Sequence, residues 1–429
     1  MNSSRSVFIL SREYPPTTVG GTSTVARNLA TGLLGEGWRV TVVTTHAHED
    51  REVREEVDGV TVLRVGAGLV YNTGTGLGVE SLRVHRRMHA AAERLAAETG
   101  IPDFIALPDL FCLPEATMFA RAHSVPLVNI LLQDFRAITP YDRDAHRVTN
   151  GVTADRTHLL AVEEKALRGS DCTVFISQAL SDAITGYYAG PYAPHRVVHL
   201  GVDPAEIAQV EADPGRLARH SALLGPHPAS VPLLVACGRL VPVKGFGPLL
   251  TALARLGPVD RPGAPRVLPH LALVGEGPEM PNLRRQATEL GLADRVTFLG
   301  DIPRHEALGW MSVADVAVVP SLWESFCYVC AEMMAFGRPV VASAVDSLRE
   351  LMPSDSFGYP VPVRGPSGAR TLDPADLTHA LRAALTRPEE AATRGERARQ
   401  RIMETFTNER FARELSDLGQ HLAKAGAHG

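Results

Sequence analysis

Residues 320–339 lie between two short apolar runs and carry a dense set of polar groups. The apolar runs are residues 315–320 and 340–342, and the segment between them closes on Gly337-Arg-Pro339. An apolar run, a loop, a helix-length segment, a tight turn and a second apolar run predict a βαβ unit. Parallel strands bring their loops to one edge of a sheet, so we expect ligand-binding groups at the carboxyl end of the first strand.

Two glutamates, Glu324 and Glu332, stand eight residues apart in this unit. We expect Glu324 on the loop and Glu332 about two turns into the helix, on the same face. The backbone amides near Ser325, Phe326 and Cys327 would be unpaired at the helix start and able to bind an anion. Amide donors flanked by carboxylate acceptors suit a sugar diphosphate. Two solvated glutamates on a surface helix are the alternative interpretation.

The strand–helix alternation runs through the chain in two series. With 429 residues, the chain is too long for one core of ordinary size. The alternation stops near residue 200 and restarts near residue 232, and the Pro-rich residues 205–230 are predicted to be a linker. The predicted fold class is therefore α/β, with two Rossmann-like domains facing across a cleft. The predicted domains are 1–205 and 206–405, followed by a helix at 406–429 that returns to the first domain.

Composition narrows the class of protein. Apolar residues make up 45% and charged residues 21% of the chain, which is typical of a soluble globular protein. A net charge of −5 argues against nucleic-acid binding, which favours basic chains. No run of 18 apolar residues is present, and residues 1–10 are too short for a signal sequence. Five scattered cysteines predict reduced thiols, and we expect a cytoplasmic location.

Two short patterns have metal-ligand spacing, but neither predicts a metal site. Cys327 and Cys330 are spaced like half of a zinc site, without a second pair. Asp142-x-Asp144 resembles the metal-binding Asp-x-Asp of one class of sugar transferases, although matches this short are common. We therefore expect no metal.

Two further segments indicate binding of an anion. Gly20 and Gly21 separate the first predicted strand from a helix, which favours an anion-accepting backbone nest, although the dinucleotide fingerprint is absent. Arg239 and Lys244 follow a predicted strand in the second series, with glycine on both sides. Only three of the 43 Lys and Arg residues are lysines. A lysine at position 244 in a chain that almost always uses arginine favours a functional role for Lys244; a solvated surface cation is the alternative interpretation. The planar guanidinium of Arg239 can donate two parallel hydrogen bonds, and the ammonium of Lys244 is a compact charge. Together these two groups suit a diphosphate.

Four motifs, taken in order, resemble the retaining glycosyltransferases of family four (glycosyl transferases group 1). The motifs are Gly20-Gly21, Gly238-Arg239 to Lys244-Gly245, Gly275-Glu276-Gly277-Pro278, and Glu324-x7-Glu332 followed by Gly337-x-Pro339. The resemblance spans nearly the whole chain and is strongest in residues 232–345. It implies the GT-B fold, a nucleotide-sugar donor bound between the domains, and no requirement for a metal.

The resemblance also implies roles for individual residues. Arg239 and Lys244 match the pair that neutralises the donor diphosphate and its departing charge. Glu324 matches the carboxylate that holds the donor sugar, with the amides near Phe326 and Cys327 beside it. The resemblance further implies attack on the same face of the sugar, with a leaving-group oxygen accepting the proton of the acceptor hydroxyl.

Other matched positions surround the rest of the donor. Glu332 matches the ribose-binding carboxylate, Gly20 and Gly21 match a loop that approaches the phosphate, and the segment from Gly300 to Ile302 matches a loop beside the base. Two departures stand out. Many members have His-Asp where this chain has Gln133-Asp134, so a histidine-based role does not transfer. Glycine is usual at the position of Cys327, which predicts a narrower donor-sugar pocket.

In this family the first domain supplies the acceptor site, and here that domain is mildly acidic. Asp134, Asp142 and Asp144 lie on one predicted loop. These acidic groups favour a soluble, cationic small-molecule acceptor, such as an aminocyclitol or another natural-product core. We expect the donor to be a UDP-sugar. One alternative is a peripheral membrane transferase with a lipid-linked acceptor, using arginines of the predicted helix at residues 80–99. Another is a glucan or disaccharide synthase, because residues 12–16 resemble the start of some glucan-forming members. A catalytically silent sugar-nucleotide-binding protein is the non-enzymatic alternative.

Overall fold

The structure is a computed structural model that describes residues 5–16, 21–46, 51–66, 79–138, 156–213, 215, 231–261 and 264–426. Contacts divide the chain into two compact units. The first unit contains the described residues up to Leu200 together with the segment that begins at Asn408. The second unit contains the segment Gly201–Thr407.

In the first unit, strands and helices alternate along the described residues. The strands are β1 (Ser6–Leu10), β2 (Arg39–His46), β3 (Val53–Val57), β4 (Val60–Gly66), β5 (Phe104–Leu107), β6 (Leu127–Leu131), β7 (Cys172–Phe175) and β8 (His195–Val197). The helices are α1 (Gly21–Gly35), α2 (Val79–Thr99), α3 (Leu113–His123), α4 (Phe135–Ile138), α5 (Arg156–Gly169) and α6 (Gln178–Tyr187).

The second unit repeats this alternation. Its strands are β9 (Leu233–Cys237), β10 (Val259–Arg261), β11 (Ala264–Val267), β12 (His270–Val274), β13 (Val296–Gly300), β14 (Val316–Val319), β15 (Val340–Ser343), β16 (Tyr359–Val361), β17 (Val363–Arg364) and β18 (Thr371–Leu372). Its helices are α7 (Pro204–Ala212), α8 (Phe246–Arg255), α9 (Met280–Glu289), α10 (Arg304–Val313), α11 (Tyr328–Ala335), α12 (Asp346–Leu351), α13 (Pro374–Thr386) and α14 (Pro388–Thr405). The last helix, α15 (Asn408–Gly426), belongs to the first unit.

Each unit is built on one large, mainly parallel sheet. In the first unit the strand order is β3-β4-β2-β1-β5-β6-β7-β8, and the β3–β4 pair is antiparallel while the others are parallel. In the second unit the order is β13-β12-β9-β14-β15-β16, with every pair parallel. The central strands are almost completely apolar, as expected when helices cover both faces of a parallel sheet. The predicted α/β fold class is therefore confirmed.

The C-terminal helix α15 packs on α1 and β5 within the first unit. The indole N–H of Trp38 donates to the hydroxyl of Ser416 at 2.8 Å, and both side chains are buried. Gly419 allows the helix to lie directly against the ring of Phe104, where a Cβ would clash. The side-chain amide of Asn408 donates to the carbonyl of Asn28 at 3.0 Å and anchors the helix start. The predicted return of the C-terminal helix to the first domain is therefore confirmed.

One prediction about local structure needs correction, and one strand was missed. Residues 205–230 were predicted as a linker, but α7 occupies its beginning, because Asp203 caps the amides of Ala205 and Glu206 and Pro204 takes the first helical position. The strand β3 was not predicted; its alternating exposure pattern is that of a one-sided antiparallel edge strand.

None of the helices among the described residues is long and apolar enough to cross a membrane.

Candidate active site

The loops that follow β9 and β14 lie against each other at the carboxyl edge of the second sheet. These strands are direct neighbours, so their following loops are held together. The amide of Leu322 donates to the carbonyl of Val243 at 2.7 Å. Gly245 has a φ of +69°, and a Cβ at this position would overlap the carbonyl oxygen of Pro320. Glycine at position 245 therefore permits the close approach of the two loops.

This approach brings Lys244 and Glu324 into direct contact. Lys244 Nζ lies 2.6 Å from Glu324 Oε1, and the side chains are 26% and 9% exposed, respectively. Burial opposes the charge on Lys244, but the Glu324 carboxylate outweighs it and raises the pKa of Lys244 above its ordinary value, while nearby Arg239 acts in the opposite direction. Lys244 is therefore a cation at neutral pH, next to a carboxylate and a second cation.

Three serines hold the Glu324 loop in place. Ser321 donates its hydroxyl to Glu324 Oε1 at 2.7 Å, and Ser347 donates to the Glu324 backbone carbonyl at 2.7 Å. Ser343 at the end of β15 donates to the Ser321 carbonyl at 2.5 Å. Glu324 Oε1 thus accepts from both Lys244 and Ser321, so its orientation is fixed before any ligand binds.

Helix α11 begins after a residue with unusual backbone geometry. Cys327 has φ +79° and ψ +79°, in the left-handed region that glycine adopts at low cost. This conformation is the physical reason why glycine suits the position, and cysteine here carries strain. Ser325 is half-buried, whereas the ring of Phe326 is buried and packs edge-on against Tyr328 at 5.5 Å. The Phe326 side chain thus faces the core, and its backbone remains the part suited to ligand contact.

Glu332 lies one turn into α11, rather than the two turns predicted, because the helix begins at Tyr328. Its side chain is 3% exposed and pairs with Arg304, whose Nη2 lies 2.7 Å from Glu332 Oε1. Burial raises the pKa of the Cys237 thiol at the end of β9 to about 12, with a further contribution from Glu332 and opposing ones from Lys244 and Arg304. Glu332 and Lys244 therefore lie near the same strand end.

The remaining predicted donor-site residues lie at the same edge of the sheet. Arg239 is half-buried in the loop after β9. Gly300 ends β13 with φ +73°, and its carbonyl accepts from the amide of Gly275 at 2.9 Å. Ile302 is half-buried two residues later, in the short segment that leads into α10.

The predicted residues of the first unit have different environments. Gly20, Asp142 and Asp144 lie outside the described residues, whereas Gly21 is exposed at the start of α1. Gln133 is half-buried after β6. Asp134 has no exposed surface, and its Oδ1 accepts from the amides of Arg136 and Ala137 at 2.8 and 3.0 Å. In this conformation Asp134 caps α4 and does not reach solvent.

A second buried carboxyl group, that of Glu163 on α5, lies beside this loop. Glu163 Oε2 accepts from the amide of Phe135 at 3.2 Å, and Oε1 accepts from the Tyr188 hydroxyl at 2.7 Å. Burial raises the pKa of Glu163 to about 7; Asp134 adds to the rise, whereas Tyr188 and Arg136 oppose it. Burial also raises the pKa of Asp134. The loop after β6 is therefore held by two carboxyl groups that are costly to ionise.

Sequence patterns did not single out four residues that organise these sites: Arg304, Ser321, Glu206 and Glu163. Ser321 lies three residues before Glu324, so its contact with that carboxylate could have been predicted from the local sequence. The contacts of Arg304 with Glu206 and of Glu163 with Phe135 span 98 and 28 residues, so no local pattern predicts them. Among the described residues, no three His, Cys, Asp or Glu side chains are grouped as metal ligands.

Two protein-family models match successive parts of the chain, and both describe glycosyl transferases. Residues 20–201 match the family described as "Glycosyl transferase 4-like domain", and residues 231–387 match "Glycosyl transferases group 1". The glycogen synthase of Mycobacterium tuberculosis is 27% identical over 414 residues, covering 93% of this chain and 91% of the relative.

Solved structures share the fold over nearly the whole chain. Sucrose-phosphate synthase from Thermosynechococcus elongatus superposes with a TM-score of 0.76 at 24% identity, covering 98% of this chain and all of that one. Anabaena HepE in complex with UDP-glucose superposes with a TM-score of 0.70 at 19% identity, covering 96% and 98% of the two chains. The two family matches together span most of the sequence, and the chain has the GT-B fold and belongs to the glycosyl transferases of group 1.

Proposed function

We propose that the protein is a retaining glycosyltransferase that moves a sugar from a UDP-sugar to a hydroxyl group of a soluble small-molecule acceptor. The observation that carries this proposal is the contact between Lys244 and Glu324, with Arg239 close enough to act on the Lys244 charge. A preformed pair of cations beside an oriented carboxylate suits the junction between a diphosphate and a sugar.

In this proposal the donor diphosphate binds to Arg239, Lys244 and the amides at the start of α11. The bond between the anomeric carbon and the phosphate oxygen breaks, and negative charge develops on the diphosphate. Arg239 and Lys244 stabilise that charge, which lowers the barrier more than it stabilises the bound donor. The acceptor oxygen bonds to the same face of the anomeric carbon and passes its proton to the departing phosphate oxygen.

Carboxylates are assigned to the other parts of the donor. Glu324 accepts hydrogen bonds from the sugar hydroxyls, and Glu332 accepts them from the ribose. HepE, which shares the fold, forms a complex with UDP-glucose, and this supports a UDP-sugar as the donor of the present protein. Cys327 supplies a side chain where a glycine would leave space, so we assign it a part in selecting the donor sugar.

The arginines of α2 bear on the class of acceptor. Arg87 donates to the Gly66 carbonyl at 2.6 Å, and Arg94 pairs with Glu52. Of the arginines on which the membrane alternative rests, Arg87 is engaged in this way and Arg86 is exposed, so it is the contact of Arg87 that supports a dissolved acceptor over one presented on an anionic membrane. Asp134 is buried and no longer supports a cationic acceptor, so the aminocyclitol proposal rests on the mildly acidic composition of the first unit. The five cysteines, all within the described residues, form no disulfide, which supports a reducing, cytoplasmic location.

A glucan or disaccharide synthase is the second candidate. The similarity to a glycogen synthase over 93% of the chain favours it. Incubation with UDP-glucose and either short glucans or monosaccharide phosphates separates this candidate from the first.

Two measurements test the proposed function. A thermal-shift screen across UDP-, GDP-, ADP- and dTDP-sugars is expected to give the largest stabilisation with a UDP-sugar, because a ligand of the folded state raises apparent stability. The preferred donor is then incubated with amino-sugar and aminocyclitol acceptors, and the anomeric configuration of the product is determined by NMR. Retained configuration is expected; inversion, or transfer only to lipid-linked acceptors, would contradict the proposal.

A further inference from the structure

Arg304 bridges two carboxylates that come from different helices of the second unit. Arg304 is the first residue of α10, and its Nη2 lies 2.7 Å from both Glu332 Oε1 and Glu206 Oε2. Its Nε donates to Glu206 Oε1 at 2.9 Å, so Glu206 engages the guanidinium in a fork. Glu206 lies in the first turn of α7. The guanidinium plane is therefore fixed by Glu206, and through Nη2 it fixes one oxygen of Glu332.

Glu332 is buried, so its negative charge depends on the contact with Arg304 for compensation. The Glu332 side chain is 3% exposed, and a buried carboxylate is costly unless a cation or hydrogen-bond donors compensate it. Burial opposes the charge on Arg304, but Glu332 and Glu206 outweigh it, so the pKa of Arg304 is raised above its ordinary value. Arg304 thus supplies a permanent compensating charge at the position of Glu332.

Arg304 is also tied to the loop assigned to the nucleotide base. Gly300 and Ile302 belong to that loop, and Arg304 follows Ile302 by two residues. One residue therefore connects the loop beside the base to the carboxylate assigned to the ribose.

We propose that Arg304, held by Glu206, is a positioning residue that orients Glu332 to accept the ribose hydroxyls of the donor. This inference rests on the proposed function, since it assumes that Glu332 binds the ribose. It assigns Arg304 an effect on nucleotide affinity that depends on the ribose hydroxyls and not on the diphosphate or the sugar.

Binding of UDP and of 2′,3′-dideoxy-UDP, measured by calorimetry, tests this inference. The wild-type protein is expected to prefer UDP, because the analogue lacks the hydroxyls that Glu332 binds. Arg304→Met should reduce that preference by about tenfold, the scale of a charged hydrogen bond, while the affinity for the analogue changes little. Arg304→Lys keeps the charge and should restore part of the preference. In turnover assays Arg304→Met should raise the KM for the donor more than it lowers kcat.

A second variant covers the case in which Arg304→Met does not fold. Glu206→Gln keeps the contact between Arg304 and Glu332 but loosens the anchor of the guanidinium, and it should reduce the preference by roughly threefold. An unchanged preference in the variants, or equal weakening of both nucleotides, would overturn the positioning role and leave a structural salt bridge.

The two levels of the proposal fail in different ways. If wild-type protein and Glu332→Gln bind UDP and the dideoxy analogue equally well, the ribose assignment of Glu332 is wrong, and the inference about Arg304 is wrong with it. If Glu332→Gln abolishes the preference while Arg304→Met retains it, only the inference about Arg304 is overturned.

Discussion

Lys244 Nζ and Glu324 Oε1 are 2.6 Å apart although 80 residues separate them in the chain. The contact forms because β9 and β14 are adjacent parallel strands whose following loops meet at one edge of the sheet. The pair places a cation and a carboxylate side by side, and the proposed function assigns the cation to the donor diphosphate and the carboxylate to the sugar hydroxyls.

Replacing Lys244 with Met should lower kcat/KM by about 10² to 10³, because the departing diphosphate loses one of the two cations that stabilise its negative charge. Steady-state kinetics with the preferred UDP-sugar measures the effect. Lys165→Met is the matched control, since this lysine is exposed on α5, and it should be close to wild type. Activity of the Lys244 variant within threefold of wild type would remove Lys244 from the mechanism.

Replacing Glu324 with Ala should abolish most turnover while UDP binding is retained. The carboxylate is assigned to the sugar, and its removal leaves Lys244 available to the diphosphate. Parallel calorimetry with UDP and kinetics with the UDP-sugar separate binding from turnover. Glu289→Ala, an exposed glutamate on α9, is the control. Turnover at the wild-type level in Glu324→Ala would disprove the role.

At position 327, glycine should give a more stable protein than alanine, by about 1 kcal/mol, because φ is +79°. Comparing Cys327→Gly with Cys327→Ala isolates the backbone conformation, since both remove the thiol. The control is the same pair at Cys330, inside α11, where alanine should be the more stable by about 1 kcal/mol. Denaturant unfolding of all four variants gives the comparison, and the same order at both positions would contradict the assigned strain.

Gly245→Ala should destabilise the protein more than Gly291→Ala. Both glycines have φ +69°, so both variants carry the same backbone strain. At position 245 the added Cβ also collides with the Pro320 carbonyl, whereas no atom lies within 4 Å at position 291. We expect a loss of about 1 kcal/mol at 291 and several at 245, with a loss of turnover only at 245. Equal effects in thermal unfolding and kinetics would show that the loop contact tolerates displacement.

The stability contribution of Glu163 should depend on pH near neutrality. Its pKa is raised to about 7 in the folded protein, from an ordinary value of 4.5, chiefly by burial. Folding therefore favours the protonated form: the contribution is fully present below pH 4.5 and is lost as pH rises through about 7. Asp134, Arg136 and Tyr188 surround the group and set the size of the effect.

Glu163→Gln should remove this dependence, because the amide is neutral at every pH. The free energy of unfolding of the variant minus that of wild type should rise between pH 5 and pH 8 by on the order of 1 to 3 kcal/mol. Chemical denaturation at each pH measures it. A difference that stays constant across this range would show that Glu163 does not titrate near neutrality.

The sequence alone determined the alternation of strands and helices and the identity of the glutamates and cations in the second unit. Apolar runs such as 270–274 match their strands residue for residue, because a strand buried on both faces must be continuously apolar. Motif spacing singled out Lys244, Glu324 and Glu332 as candidate ligand-binding groups next to predictable strands, although Glu332 lies one turn into its helix and not two.

Tertiary structure decided which groups touch each other and which are accessible. Asp134 and Glu332 are both buried carboxylates, yet Asp134 accepts from backbone amides at a helix start, whereas Glu332 pairs with the guanidinium of Arg304. The pairing of Arg304 with Glu206 and Glu332 depends on how α7, α10 and α11 pack, and packing is a property of distant residues. The left-handed backbone at Cys327 likewise follows from how the loop joins α11, because no local preference of cysteine favours it.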